Sequence, residues 1–179
     1  MGKATQDLRN EHDAILHVFE ILDKMLSADV KEDVDIFKFG NELIYFLKTF
    51  ADKCHHGKEE DHLFKALIAR GISNEGGPIG AMLQDHRLGR EYISLMSKSL
   101  EAKDLNNFKV NAAKYRDHLR NHIAKENNVL FVMADRVLDD ATQNGLFEKF
   151  EAHEETVIGH GVHEELHSMI RQWEDEFNV

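Results

Sequence analysis

Histidine and glutamate recur in this chain at a spacing that suits metal binding. The stretches "HHGKEEDHLF", beginning at His55, and "HIAKENNVLF", beginning at His122, superpose when one is shifted by 67 residues. His55, Lys58, Glu59, Leu63 and Phe64 then fall on His122, Lys125, Glu126, Leu130 and Phe131. In each copy the histidine and the glutamate are four residues apart, so on a helix they share one face a turn apart. Each pair is a two-donor clamp. A looser echo lies in "NEHDAIL" at His12 and "QDHRLGR" at His86, each an amide, an acid and then a histidine.

The chemistry such a set would do is metal binding. Neutral imidazole is the commonest protein metal ligand, and the chain carries 12 histidines among 179 residues. Two carboxylates buried without cations would be costly. A pair of divalent metals offsets that cost and uses Glu59 and Glu126 as bridges. Nitrogen and oxygen donors without thiolate favour iron, with manganese and zinc as weaker candidates. The single cysteine, Cys54, excludes an internal disulfide, a four-cysteine zinc site and an all-cysteine iron-sulfur cluster. A net charge of −11 argues against nucleic acid or an anionic membrane as partner, since phosphate binding needs clustered Lys and Arg. The chain has no apolar run long enough to cross a bilayer, and its start, "MGKATQDLRNEHDA", lacks the apolar core of a signal peptide. A cytoplasmic location is expected.

To converge, these side chains need long helices. Leu8, Ile15, Phe19, Leu22 and Leu26 recur at helical spacing, predicting a first helix from about Thr5 to Ala28. "ADVKEDVD" interrupts it, and Asp33 or Asp35 can cap the next start. A second helix reaches Gly71; "GISNEGGP" breaks the chain, and Pro78 opens a third that runs to Ala102. "KDLNN" turns into a fourth, from about Asn107 to Asp139. If neighbours are antiparallel, residues equidistant from a turn sit at one height. With the clamps centred at 57 and 124, the midpoints from 12 to 57, 57 to 86 and 86 to 124 fall in "KEDVD", at Gly71 and in "KDLNN". The expectation is an all-α, up-down-up-down four-helix bundle over about 5–139, with an additional C-terminal helical tail over about 143–177, the whole of 1–179 forming one domain. In the tail Val162, Leu166, Met169, Ile170, Trp173 and Phe177 make one apolar stripe.

"HHGKEEDHLF", "QDHRLGR" and "HIAKENNVLFVMAD" resemble the hemerythrin-like (HHE cation-binding) family, whose pattern is H...HxxxE...H...HxxxE on a four-helix bundle. The resemblance covers about residues 8 to 138 and departs where the family usually has proline after each LF, since this chain has Lys65 and Val132. It implies a non-haem centre of two iron ions, with His12, His55, Glu59, His86, His122 and Glu126 at the matching positions. It also implies binding or sensing of dioxygen or nitric oxide, behind an apolar wall expected from Leu16, Phe19, Leu83 and Ile93. The alternatives are a di-iron redox enzyme (ferroxidase, peroxidase or iron-sulfur repair protein) and a plain metal buffer.

A fifth histidine would make the two irons unequal. His118, one turn before His122 on the same face, is the first choice for that role. His62 and His56 are the alternatives, although His56 is turned about 100° from His55 on an α-helix. Gly89, three residues after His86, either leaves room beside the metals or marks a close helix contact. Finally "HEELH", from His163 to His167, matches a zinc-protease signature. A protease needs a third protein ligand, and its extended form has glycine and histidine where this chain has Ile170 and Trp173, so the two histidines are expected to edge the tail's apolar stripe.

Overall fold

The computed structural model describes residues 1–27 and 35–179. Helix α1 (Lys3–Leu26) turns Leu8, Ile15, Val18, Phe19 and Leu22 inward at the expected spacing. Most of "ADVKEDVD" lies outside the described residues, Asp33 included. Asp35 does cap the next start: its carboxylate accepts the Lys38 N–H at 3.0 Å. Helix α2 (Ile36–Phe46) runs on through a wide π-type stretch, Leu47–His56, a second one, Glu59–Leu63, and a last α-helical segment, Phe64–Ala69. Pro78 opens α3 (Pro78–Glu101) at its first turn. Asp104 caps α4 (Leu105–Lys125), which continues through a third wide turn, Glu126–Leu130, into Phe131–Val137.

The C-terminal tail is two helices rather than one. The fourth helix stops at Val137, two residues short of the expected Asp139, whose carboxylate accepts the Thr142 N–H at 2.8 Å and starts α5 (Asp140–His153), which finishes in the wide turn Glu154–Ile158. Gly159 and Gly161 then adopt φ of 96° and 79°. Glycine enters that left-handed region without the steric cost other residues meet. The chain bends there and α6 (Val162–Phe177) begins.

Contacts between helices run in opposite registers. Rising through Lys48, Asp52 and Glu60, the second helix meets Ser97, Arg90 and His86 in falling order on α3. Thr5 and Asp23 of α1 likewise meet Asp135 and Arg120 on the fourth helix and its continuation. Two apolar clusters fill the interior. One gathers Phe19, Phe39, Phe46, Phe108, Tyr115 and Trp173. The other gathers Leu8, Leu63, Phe64, Leu130, Phe131 and Phe150. Each helix that carries a clamp or echo histidine crosses from one cluster to the other: His12 sits between Leu8 and Ile15, and His86 between Met82 and Ile93. The polar residues therefore form a layer between two dry clusters. Helix α6 closes one side, with Trp173 fully buried edge-on to Phe39 and Phe46 and its Nε1–H donated to Glu42 at 2.9 Å.

Candidate metal centre

The layer brings His12, His55, Glu59, His86, His122 and Glu126 together, and it adds His56. All seven are buried. They form two groups of candidate ligand atoms, each within 4.8 Å of one another: His56, Glu59, His86 and His122, and His12, His55, Glu59 and Glu126. Glu59 belongs to both. Its two oxygens lie 3.7 Å from His55 Nε2 and 3.4 Å from His86 Nε2. Glu126 also spans the layer, at 3.2 Å from both His12 Nε2 and His122 Nε2 and 3.9 Å from His86 Nε2.

The wide turns explain His56. Both clamp glutamates open a π-type turn, Glu59–Leu63 and Glu126–Leu130, so the internal repeat extends to backbone geometry. The first copy has a further wide stretch, Leu47–His56. A wider turn rotates less per residue, which narrows the angle between His55 and His56, and both face the layer. Single π turns within α-helices are frequent at functional sites. Nothing in local residue preference announces one.

The repeat also fixes how each imidazole is held. His55 Nδ1 bonds to Glu11 at 2.9 Å and His122 Nδ1 approaches Asp85 at 3.4 Å; these are the acids that precede His12 and His86. His12 Nδ1 bonds to Asn127 at 2.9 Å and His86 Nδ1 to Glu60 at 2.7 Å; these are the residues that follow Glu126 and Glu59. Lys58 donates to Glu11 at 2.9 Å, and Lys125 donates to Asp85. The repeated Leu-Phe pair belongs to the same scheme, with Phe131 stacked on His12 at 5.3 Å and Phe64 on His86 at 5.8 Å. The histidine, lysine and phenylalanine positions of the H-x-x-K-E-x-x-x-L-F repeat thus each have a counterpart contact in the other half.

This shell decides the protonation of the rings. With Nδ1–H donated outward to an oxygen, each Nε2 carries a lone pair that points at the layer. His55 Nε2 then faces His12 Nε2 at 2.9 Å, and His86 Nε2 faces His122 Nε2 at 3.1 Å. Among the described residues neither oxygen of Glu59 or of Glu126 has a hydrogen-bond partner, and Nδ1 of His56 approaches only Asp52, at 3.5 Å. Lone pairs facing lone pairs in a dry site repel unless cations lie between them, so the donor set fits metal ions. Burial, reinforced by neighbouring histidines, pushes His55 and His56 well below the usual imidazole range, and burial also lowers His86. They stay neutral and able to ligate. Without a metal, burial and then the Glu126 charge hold Glu59 well above the usual carboxylate range. Cations would remove that repulsion.

Other expected candidates lie elsewhere. His118 is in neither group; its Nε2 sits 2.9 Å from the backbone oxygen of Asp85, so the ring braces the helix that carries His86. His62 packs against Phe150 and His153 on the far side of its helix. Of the expected apolar wall, Phe19 and Ile93 belong to the first cluster, with Leu16 half-buried against it, while Leu83 is half-buried against the second. Gly89 is not a tight contact, because a Cβ there would meet Tyr115 at an ordinary 3.6 Å. Gly57, inside the first clamp, is tighter than Gly89: a Cβ would come within 2.6 Å of His153 Nε2, which bonds to the Lys53 carbonyl oxygen. No helix among the described residues is long and apolar enough to cross a membrane.

The family model described as the hemerythrin HHE cation binding domain matches residues 3–134. No curated protein and no solved structure matches the chain. The matched span contains all seven residues of the layer and ends before α5 and α6.

Proposed function

Because the chain belongs to the hemerythrin HHE cation-binding family, we propose that it holds two iron ions in this layer and binds dioxygen or nitric oxide there. Metal binding itself follows from the family and from the His/Glu cluster. What supports the finer reading is the inequality of the two donor groups. One offers three imidazoles, His56, His86 and His122, while the other offers two, His12 and His55, with both carboxylates. When bound, iron supplies the redox couple and the exchangeable coordination position that a small diatomic ligand requires. Manganese and zinc suit the same donors, but zinc lacks the redox couple.

The chain's own contribution is orientation and dryness. Glu11, Asp85, Glu60 and Asn127 fix four of the rings so that Nε2 faces inward. Phe64 and Phe131 cover His86 and His12 on one side, and the first apolar cluster closes the other. Excluding water limits solvent-driven oxidation and strengthens electrostatics inside the site.

The test is spectroscopic. Iron(II) protein prepared without air should develop a visible charge-transfer band on exposure to oxygen, and the band should vanish under argon and return. Steady oxygen consumption without a reversible band would reject the carrier reading in favour of a redox enzyme. A colourless protein whose iron merely exchanges would leave a metal buffer.

A further inference from the structure

The "HEELH" segment is not explained by packing alone. His163 and His167, one turn apart on α6, do face Phe50, with ring centroids at 5.7 and 6.1 Å, and each other at 4.6 Å. They also line a cavity of about 250 Å³ between α1, α5 and α6, together with Asp7, Glu11, Glu151 and Glu154. Within it, ligand atoms of Glu11, Glu154 and His163 all lie within 4.8 Å of one another. Neither histidine ring has a hydrogen bond or ion pair among the described residues.

We infer that Glu11, Glu154 and His163, with His167 beside them, form a separate binding site for one divalent first-row cation. The donor set of nitrogen and carboxylate oxygen without sulfur suits zinc or iron(II). The charge balance also asks for a cation. Four carboxylates border the cavity, and one buried ammonium, Lys58, serves Asp7, Glu11 and Glu154 at once. Lys58 uses one oxygen of Glu154 and leaves the other available. The excess is felt at Asp7, whose carboxyl is raised by burial and by the charges of Glu11 and Glu154 despite the nearby lysine. Proteolysis is not implied, because Glu164 and Glu165, the acids inside the motif, are exposed to solvent away from the cavity.

The site touches the seven-residue layer at one point. Glu11 holds His55 Nδ1 with one oxygen and accepts from Lys58 with the other, so a cation there draws on the carboxylate that orients a histidine of the layer. The inference stands apart from the oxygen-binding reading and survives its failure.

Equilibrium dialysis of the full chain against zinc, read by metal analysis, tests it. His163→Ala/His167→Ala should bind about one zinc fewer per chain than the parent, and so should Glu154→Ala, which leaves Lys58 paired with Asp7 and Glu11. Glu59→Gln/Glu126→Gln should lose the zinc of the layer and keep this one. Equal zinc in the parent and in a natively helical His163→Ala/His167→Ala protein overturns the inference. Should that variant misfold, equal zinc in Glu154→Ala overturns it instead. Failure of the layer reading looks different: zinc content would then be indifferent to Glu59→Gln/Glu126→Gln.

Discussion

Lys58 and Lys125 occupy equivalent places in the two halves of the repeat, yet one is sealed and the other half open. Each donates to the carboxylate associated with the Nδ1 side of the clamp histidine three residues before it. The Lys58 side chain is 0% exposed and serves three carboxylates; that of Lys125 is 48% exposed and serves Asp85. Removing one partner of a buried ion pair strands the other charges, at a cost of about 3–5 kcal/mol, whereas a surface pair contributes about 0–1 kcal/mol. Lys58→Met should therefore lower stability in urea by several kcal/mol, and Lys125→Met by less than one. Equal losses would show that burial does not separate the two.

Acid should destabilise the metal-free protein in a defined window. Burial lowers His55, His56 and His86, so the folded chain keeps them neutral while an unfolded chain protonates them near 6.5. Below that value the unfolded state binds more protons, and stability falls as pH falls, by up to about 1.4 kcal/mol per pH unit for each histidine. Glu59 acts in the opposite sense, because its raised carboxyl binds a proton in the folded state first. Three histidines outweigh one carboxyl. Urea midpoints of chelated protein should drop between pH 7.5 and 5.5, and saturating metal should reduce the drop; a flat profile would contradict the buried neutral rings.

Helix α6 should matter to stability more than to the layer. Trp173 is fully buried against Phe39 and Phe46, and none of the seven layer residues lies beyond Glu126. Trp173→Ala should cost about 3–5 kcal/mol in urea denaturation. The folded fraction should keep its layer metals, because the clamps are anchored on α1 to α4. Loss of all metal from folded Trp173→Ala protein would tie the tail to the layer directly.

Much of this was legible in residue types and spacing. Helical periodicity and the start signals at Asp35 and Pro78 placed the helices, and the doubled clamp pointed to four elements meeting at one level. Lys58 and Lys125 stood in plain view inside the repeat, but their partners, Glu11 and Asp85, come from other helices, and a lysine-acid contact across helices leaves no periodic signal. The tail's division was signalled by the two glycines around His160, whose positive φ values a continuous helix cannot hold. His56 was the hardest to read, because α-helical geometry turns it from its neighbour and the wide turn that brings it back depends on packing across the bundle.

The competition between His56 and His118 provides the sharpest prediction about the centre. His56 is 3% exposed, stacks on His86 at 3.8 Å, has its Nδ1 3.5 Å from Asp52 and belongs to the three-histidine group. The His118 ring instead donates Nε2–H to the backbone oxygen of Asp85, which braces the segment carrying His86 without entering the layer. His56→Leu should remove a donor from one group only, weakening one of the two bound ions by about tenfold or more while sparing the other. His118→Leu should keep both ions and lose only a hydrogen bond, at about 1 kcal/mol. Competition of each variant with a calibrated chelator resolves the two affinities. A His118→Leu protein that loses an ion while His56→Leu retains both would reverse the assignment and place the fifth imidazole on α4.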